Sequence, residues 1–198
     1  IDAAVKAGAA AVICEREPNE DNIPYVIVEN SRKALSQASS NFFSHPSKEL
    51  KMIGITGTNG KTTTTYLIKS ILEAVGEKVG LIGTNQNMIG DEVLPSERTT
   101  PESFELQRLL RKMVDCGCTY AVMEVSSHSL VLSRVSEIEF DIGLFTNITQ
   151  DHLDFHETME EYTLAKSKLF KQSKIGIVNA DDSACEVMLS SGDCEFIT

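Results

Sequence analysis

Short apolar runs alternate with amphipathic stretches from one end of the chain to the other. Residues 10–13 and 25–28 are brief apolar runs bounded by polar ones, the pattern of short buried strands. Over 31–43, Ala34, Leu35, Ala38 and Phe42 recur at helical spacing, which predicts a helix with those residues on one side. The polar stretch 44–48, broken by Pro46, predicts a domain linker. The pattern restarts at Met52. Strands are expected over 52–56, 79–83, 120–125, 142–145 and 175–178, and another over 195–197. Helices are expected over 62–75, from Pro101 to about residue 116 with Thr100 as the cap, over 158–171 and over 181–190. Strands rich in Val and Ile, separated by helices, predict an α/β fold with a parallel sheet covered on both faces. Two domains are expected: the end of a smaller α/β domain over 1–46, and a P-loop domain over 47–198.

Composition narrows the possibilities. Of the 198 residues, 41 % are hydrophobic, enough for a sizeable core. No apolar run approaches the roughly 18 residues that cross a bilayer. No basic segment precedes an apolar one at the start, so no secretory signal is read and a cytoplasmic location without membrane insertion is expected. The chain begins with Ile1, and residues 2–8 read as the end of a helix, so it is expected to start inside a domain. The formal net charge of -11 repels phosphate backbones and argues against nucleic acid as a partner. It is compatible with a phosphate held locally by backbone amides and one lysine. The five cysteines are odd in number and irregular in spacing, which predicts free thiols in a reducing compartment. Cys116-Gly117-Cys118 is too close and too isolated for a zinc site.

The chemistry is concentrated in a few polar segments. Apolar residues 52–55 lead into Gly57-Thr58-Asn59-Gly60-Lys61-Thr62-Thr63, and a helical pattern follows. Glycines allow the backbone angles of a phosphate cradle, and the helix start adds positive potential. Lys61 is placed to reach the β/γ-phosphates of ATP, and the Thr62 hydroxyl to ligate magnesium. The general pattern wants a glycine where Ile55 stands, so the match is imperfect. Arg98-Thr99-Thr100-Pro101 reads equally as a helix cap. Glu124-Val125-Ser126-Ser127-His128 follows an apolar strand; a carboxylate there suits magnesium, and a solvated strand end looks the same. Residues 147–156 bring two histidines and two aspartates together, as a metal site or as a polar loop. Residues 162–170 read as an amphipathic helix with exposed lysines, in which Lys166 is unremarkable.

Taken together, Gly57 to Thr63, Thr99-Thr100-Pro101, Glu124 to His128, Asp151-His152-Leu153-Asp154-Phe155-His156 and Tyr162-x-x-Ala165-Lys166 resemble the Mur ligase family in order and spacing. The likeness runs through essentially the whole chain and is strongest to the members that extend UDP-MurNAc-L-Ala-D-Glu. That family's loop lacks the first glycine, so Ile55 fits it. The resemblance implies three domains: one for the uridine nucleotide, a central one for ATP, and a C-terminal one that lies outside this chain. It implies an ATP- and magnesium-dependent ligase that makes an acyl phosphate and passes it to a diamino acid, meso-diaminopimelate or L-lysine, in peptidoglycan synthesis. A monomer is expected.

By position, the resemblance gives Lys61 and Thr62 to phosphate and the first magnesium, Glu124 to magnesium, and His152 to a second one. Lys166 matches a lysine that the family carbamylates, which turns a repelling ammonium into an anionic ligand. Thr99, Thr100, Ser126 and Arg134 match positions that hold the UDP-sugar-peptide. Two departures touch substrate contacts: Leu132 where some members have glutamine, and Arg98 where asparagine often precedes the threonine pair. A ligase of the folylpolyglutamate synthase type and a P-loop NTPase or kinase are the alternatives; the latter gives Lys166 no role.

Overall fold

Eight strands form one twisted sheet in the order β10-β9-β8-β3-β7-β4-β5-β6, and β3 lies inside it between β8 and β7. They are β3 (Lys51–Thr56), β4 (Val79–Ile82), β5 (Asn87–Ile89), β6 (Glu92–Leu94), β7 (Tyr120–Glu124), β8 (Phe140–Phe145), β9 (Ser173–Val178) and β10 (Glu195–Ile197). The computed structural model describes residues 1–18, 23–150 and 155–198.

From β10 to β4 every neighbouring pair is parallel, while β5 and β6 add antiparallel to the β4 edge. A parallel interior strand is buried on both faces and so reads as a continuous apolar run. In β3, Met52 belongs to the core formed with Leu106, Leu110 and Met113. Ile53 and Ile55 face the other way, towards Val79, Val122 and the side chains of Ile68 and Leu72. Those last two lie on α3 (Lys61–Ala74), and the first set on α4 (Ser103–Asp115). One helix therefore covers each face of the central strands.

Upstream, α1 (Asp2–Lys6), β1 (Val12–Cys14), β2 (Tyr25–Ile27) and α2 (Ser31–Phe42) precede the sheet, with β1 and β2 paired in parallel. The buried side of α2 is not the expected apolar one. Leu35 is exposed and Phe42 is 74 % exposed, whereas Ser36, Ser39 and Ser40 are buried. The helix packs beside α4, and short serine side chains allow the close approach. Phe42 and Phe43 lie 6.2 and 5.2 Å from the Phe104 ring. Within the stretch 44–49, Ser44 and His45 take positive φ, and Pro46–Glu49 make a single 3-10 turn.

Three further differences have local causes. Thr100 is not a helix cap. Proline disfavours helical geometry in the residue before it, Thr100 is buried, and the helix begins only at Ser103. The β5–β6 hairpin turns at Gly90, whose φ is 57°, and its strands are too short for a periodic signal. The helix expected over 158–171 divides into α6 (Met159–Ser167) and a 3-10 turn, Lys168–Gln172. Thr158 caps α6 by accepting from the Glu161 N–H at 3.1 Å, and the Glu161 carboxylate accepts from the Glu157 N–H. The helices α5 (Ser127–Val131) and α7 (Cys185–Leu189) complete the fold; the former was not anticipated and the latter is shorter than 181–190. No helix among the described residues is long and apolar enough to cross a membrane.

Candidate active site

The carboxyl ends of β3, β7 and β8 point the same way, and the segments that follow them meet there. This is where open α/β sheets place their ligands. From β3 comes the loop Gly57 to Gly60, from β7 Glu124, and from β8 Thr146 and Asn147. A cavity of about 250 Å³ lies here, lined by residues 58–63 together with Thr84, Thr99, Glu124, Ser126, Ser127 and Lys166. A larger cavity of about 810 Å³ lies near Ile1, Glu15 and Ser31, and carries none of these segments. The polar segments marked in the sequence line the smaller one.

The loop is shaped by its surroundings. Gly57 has φ of 143°, and a β-carbon there would run into the Thr146 hydroxyl. Gly60 has φ of 83° and caps α3. The N–H of Thr58 donates to the Asn147 carbonyl at 2.8 Å, and that of Asn59 to the Asn147 side-chain oxygen at 3.1 Å. The Asn59 carbonyl accepts from the Thr146 hydroxyl at 2.7 Å and the Asn147 amide at 3.1 Å. Lys61 folds back, its Nζ donating to the carbonyls of Gly57 and Thr58 at 2.9 and 2.8 Å.

Glu124 is 1 % exposed, and its carboxylate accepts from the Thr62 hydroxyl at 2.9 Å. The Thr84 N–H and hydroxyl also donate to it, each at 3.0 Å. Gly83 makes room for this: a side chain there would meet Glu124 Oε1 at 2.5 Å. An ionised carboxylate is acceptor-only, so three donors fix its direction without an unmet proton. Thr62 and Glu124 thus offer two oxygens side by side on the cavity wall. Hard oxygen donors of this kind suit magnesium, which keeps waters and takes few protein ligands.

Lys166, on α6, is 1 % exposed and reaches the loop from below. Its Nζ donates to the Gly57 carbonyl at 2.9 Å and lies 4.4 Å from the centre of the Tyr162 ring. The reading of Lys166 as an exposed lysine on an amphipathic helix is therefore overturned. Packing of α6 against the loop, invisible to periodicity, buries it.

The residues matched to the UDP-substrate divide into two groups. Thr99 and Ser126 line the cavity. Thr100 and Arg134 stand behind its wall. The Thr100 hydroxyl donates to the Glu124 carbonyl at 2.9 Å, and Arg134 donates to the Thr100 carbonyl at 3.3 Å. Arg134 also pairs with Glu102 at 2.7 Å. His152 lies outside the described residues. Sequence reasoning did not single out Thr84, which carries no motif, nor Asn147, Ser127, His156 and Tyr162 individually. All of these but Thr84 sit inside the polar segments it did mark.

The profile of the Mur ligase middle domain matches residues 55–198. A UDP-N-acetylmuramoyl-L-alanyl-D-glutamate--2,6-diaminopimelate ligase of Caldanaerobacter subterraneus subsp. tengcongensis is 52 % identical over 200 residues, covering all of this chain and 42 % of that protein. A ligase of the same description from Clostridium acetobutylicum, numbered 1, is 54 % identical over 199 residues, with 100 % and 41 % covered. A solved structure of a UDP-N-acetylmuramoyl-L-alanyl-D-glutamate--2,6-diaminopimelate ligase superposes with a TM-score of 0.89 at 30 % identity, over 100 % of this chain and 41 % of that one. The chain spans about two fifths of the length of these relatives.

Proposed function

The chain belongs to the Mur ligase family, and from that premise we propose that it is the central, ATP-handling part of a ligase that adds diaminopimelate to UDP-MurNAc-L-Ala-D-Glu. Residues 1–46 are then the end of the domain that holds the UDP-substrate. Residues 47–198 are most of the ATP domain, and a C-terminal domain that binds the amino acid lies outside this chain. The protein works as a cytoplasmic monomer in peptidoglycan synthesis. The observation that carries this reading is Lys166, a buried lysine held 2.9 Å from the carbonyl of Gly57, in the phosphate loop. A simple nucleotide hydrolase or kinase has no use for it there.

In the proposed reaction a substrate carboxylate attacks the γ-phosphate of ATP and displaces ADP. The amine of the diamino acid attacks the resulting acyl phosphate and displaces phosphate, leaving an amide. A carboxylate is a poor electrophile and both reactants of the first step are anions, so the site must offset charge and fix geometry. Lys61 has a flexible four-carbon stem, which lets its Nζ swing from the carbonyls of Gly57 and Thr58 to the phosphates. The amides at the start of α3 receive phosphate oxygens. Thr62 and Glu124 would hold magnesium, which neutralises phosphate charge. Lys166, as a carbamate, and His152 would supply ligands to a second ion. Thr99, Ser126 and Arg134 hold the UDP-sugar-peptide, Arg134 after exchanging its Glu102 partner for a substrate anion.

Hydroxylamine trapping with the full-length protein tests the reading. With ATP, UDP-MurNAc-L-Ala-D-Glu and hydroxylamine in place of the diamino acid, the acyl phosphate is captured as a hydroxamate of the dipeptide substrate. Phosphate release that ignores the UDP-substrate, without hydroxamate, would favour a hydrolase. Residues 1–198 alone are expected to bind nucleotide without making amide.

A further inference from the structure

Ser127 and His156 make a contact that the reaction just described leaves without work. Ser127 opens α5, is buried, and lines the cavity. Its Oγ lies 2.9 Å from Nε2 of His156, which is itself 4 % exposed. Aromatic rings pack the imidazole: Phe155 at 4.8 Å, Tyr162 at 5.1 Å and His128 at 5.7 Å between centres. The same Tyr162 carries Lys166 over its face and sets its hydroxyl 3.2 Å from that of Thr58.

Burying two polar side chains is unfavourable unless they satisfy each other. Here they do, and the contact fixes the direction of a hydroxyl on the wall of an anion site. A serine hydroxyl has one proton and two lone pairs, so the bond to His156 leaves it able to contact a second group in the cavity. The neighbouring Ser126 hydroxyl is differently engaged, accepting from the Ser129 N–H at 3.2 Å as the α5 cap.

We propose that His156 is a positioning residue for phosphoryl transfer, and that it holds the Ser127 hydroxyl against an oxygen of the transferred phosphoryl group. The inference rests on the ligase reading above. It requires no proton to leave His156; the ring acts as a fixed partner whose place is set by the stack around it.

Full-length variants separate this role from simple packing. His156→Phe keeps the ring and deletes the hydrogen bond. His156→Gln keeps a polar group near Nε2 and deletes the ring. The expected result is a kcat lowered roughly 10- to 100-fold in His156→Phe and in Ser127→Ala, the loss expected for one hydrogen bond to a charged group. The KM for ATP stays within about threefold, because the interaction belongs to the transition state. His156→Gln recovers most of the loss, and the double variant Ser127→Ala with His156→Phe is no worse than Ser127→Ala. Wild-type kcat in His156→Phe overturns the inference, as do equal losses in His156→Phe and His156→Gln or additive losses in the double variant. A wild-type protein that makes no ADP in response to the UDP-substrate and diaminopimelate overturns the ligase reading, and the inference with it.

Discussion

The Nζ of Lys166 donates to the carbonyl of Gly57 at 2.9 Å, across 109 positions of sequence. The contact joins helix α6 to a loop whose glycine no other residue can replace without moving Thr146. A nucleotide-type loop and a helix whose hydrophobic periodicity gives no hint of the lysine's burial meet at a single oxygen.

Lys166→Ala should lower ligase turnover of the full-length enzyme by about 100-fold or more, by removing a proposed ligand and its charge. Steady-state ADP release coupled to the UDP-substrate measures it. Intact-protein mass spectrometry of the wild type should show one added CO₂ that the variant lacks. An unmodified wild type with full activity would sink the carbamate proposal.

Gly57→Ala should both destabilise the fold and abolish nucleotide binding. With φ of 143° the backbone is one that L residues rarely adopt, and the new methyl meets the Thr146 hydroxyl. Strain of this kind is of order 1–3 kcal/mol. Urea unfolding and titration with a fluorescent ATP analogue read the two effects; wild-type values in both would contradict the geometry.

Glu124→Gln keeps the shape and removes the charge. The new amide places a donor either at Oε1, against the Thr62 hydroxyl and the Thr84 N–H, or at Oε2, against the Thr84 hydroxyl, all of which now donate to Glu124. The magnesium concentration for half-maximal activity should rise about 10- to 100-fold. A magnesium titration of the variant decides, and an unchanged midpoint would remove Glu124 from the metal site.

Asp141 gives a prediction about stability and pH. Burial alone would raise its carboxyl. The hydrogen bond from Lys174, the N–H of Met52 and the charges of Lys174 and Lys51 outweigh that and hold it below the ordinary value. A depressed carboxyl contributes stability at neutral pH that is lost as pH falls through its folded value. Asp141→Asn should therefore cost about 1 kcal/mol near pH 7. The difference from wild type should shrink as pH falls below about 4. Denaturant melts at several pH values check this; a gap that widens in acid would reverse the sign.

Much of this was legible because parallel strands announce themselves. Residues 52–56 and 120–125 are apolar on both faces, and the loop after Gly57 has a spacing tied to its chemistry. Lys166 was not legible from periodicity, because helical spacing does not say which face another element will cover; only the family's motif order singled it out. Buried serines on α2 escaped for a related reason. Hydropathy ranks Leu35 and Phe42 as the inner side, but the neighbour is α4, and small side chains pack against it. Thr84 carries no motif, and its bonds to Glu124 exist only once β4 and β7 lie side by side.

The bonds that the N–H groups of Thr58 and Asn59 donate to Asn147 have one more consequence. Those two amides are taken up by Asn147, just beyond β8, so in the proposed function phosphate is directed to the opening turn of α3. The stretch from Gly57 to Asn59 is then a splint rather than a glove. Bonds within the protein hold its shape. Its curvature is dictated from the far end of β8, by Thr146 and Asn147, two residues that shape the loop without lining the cavity.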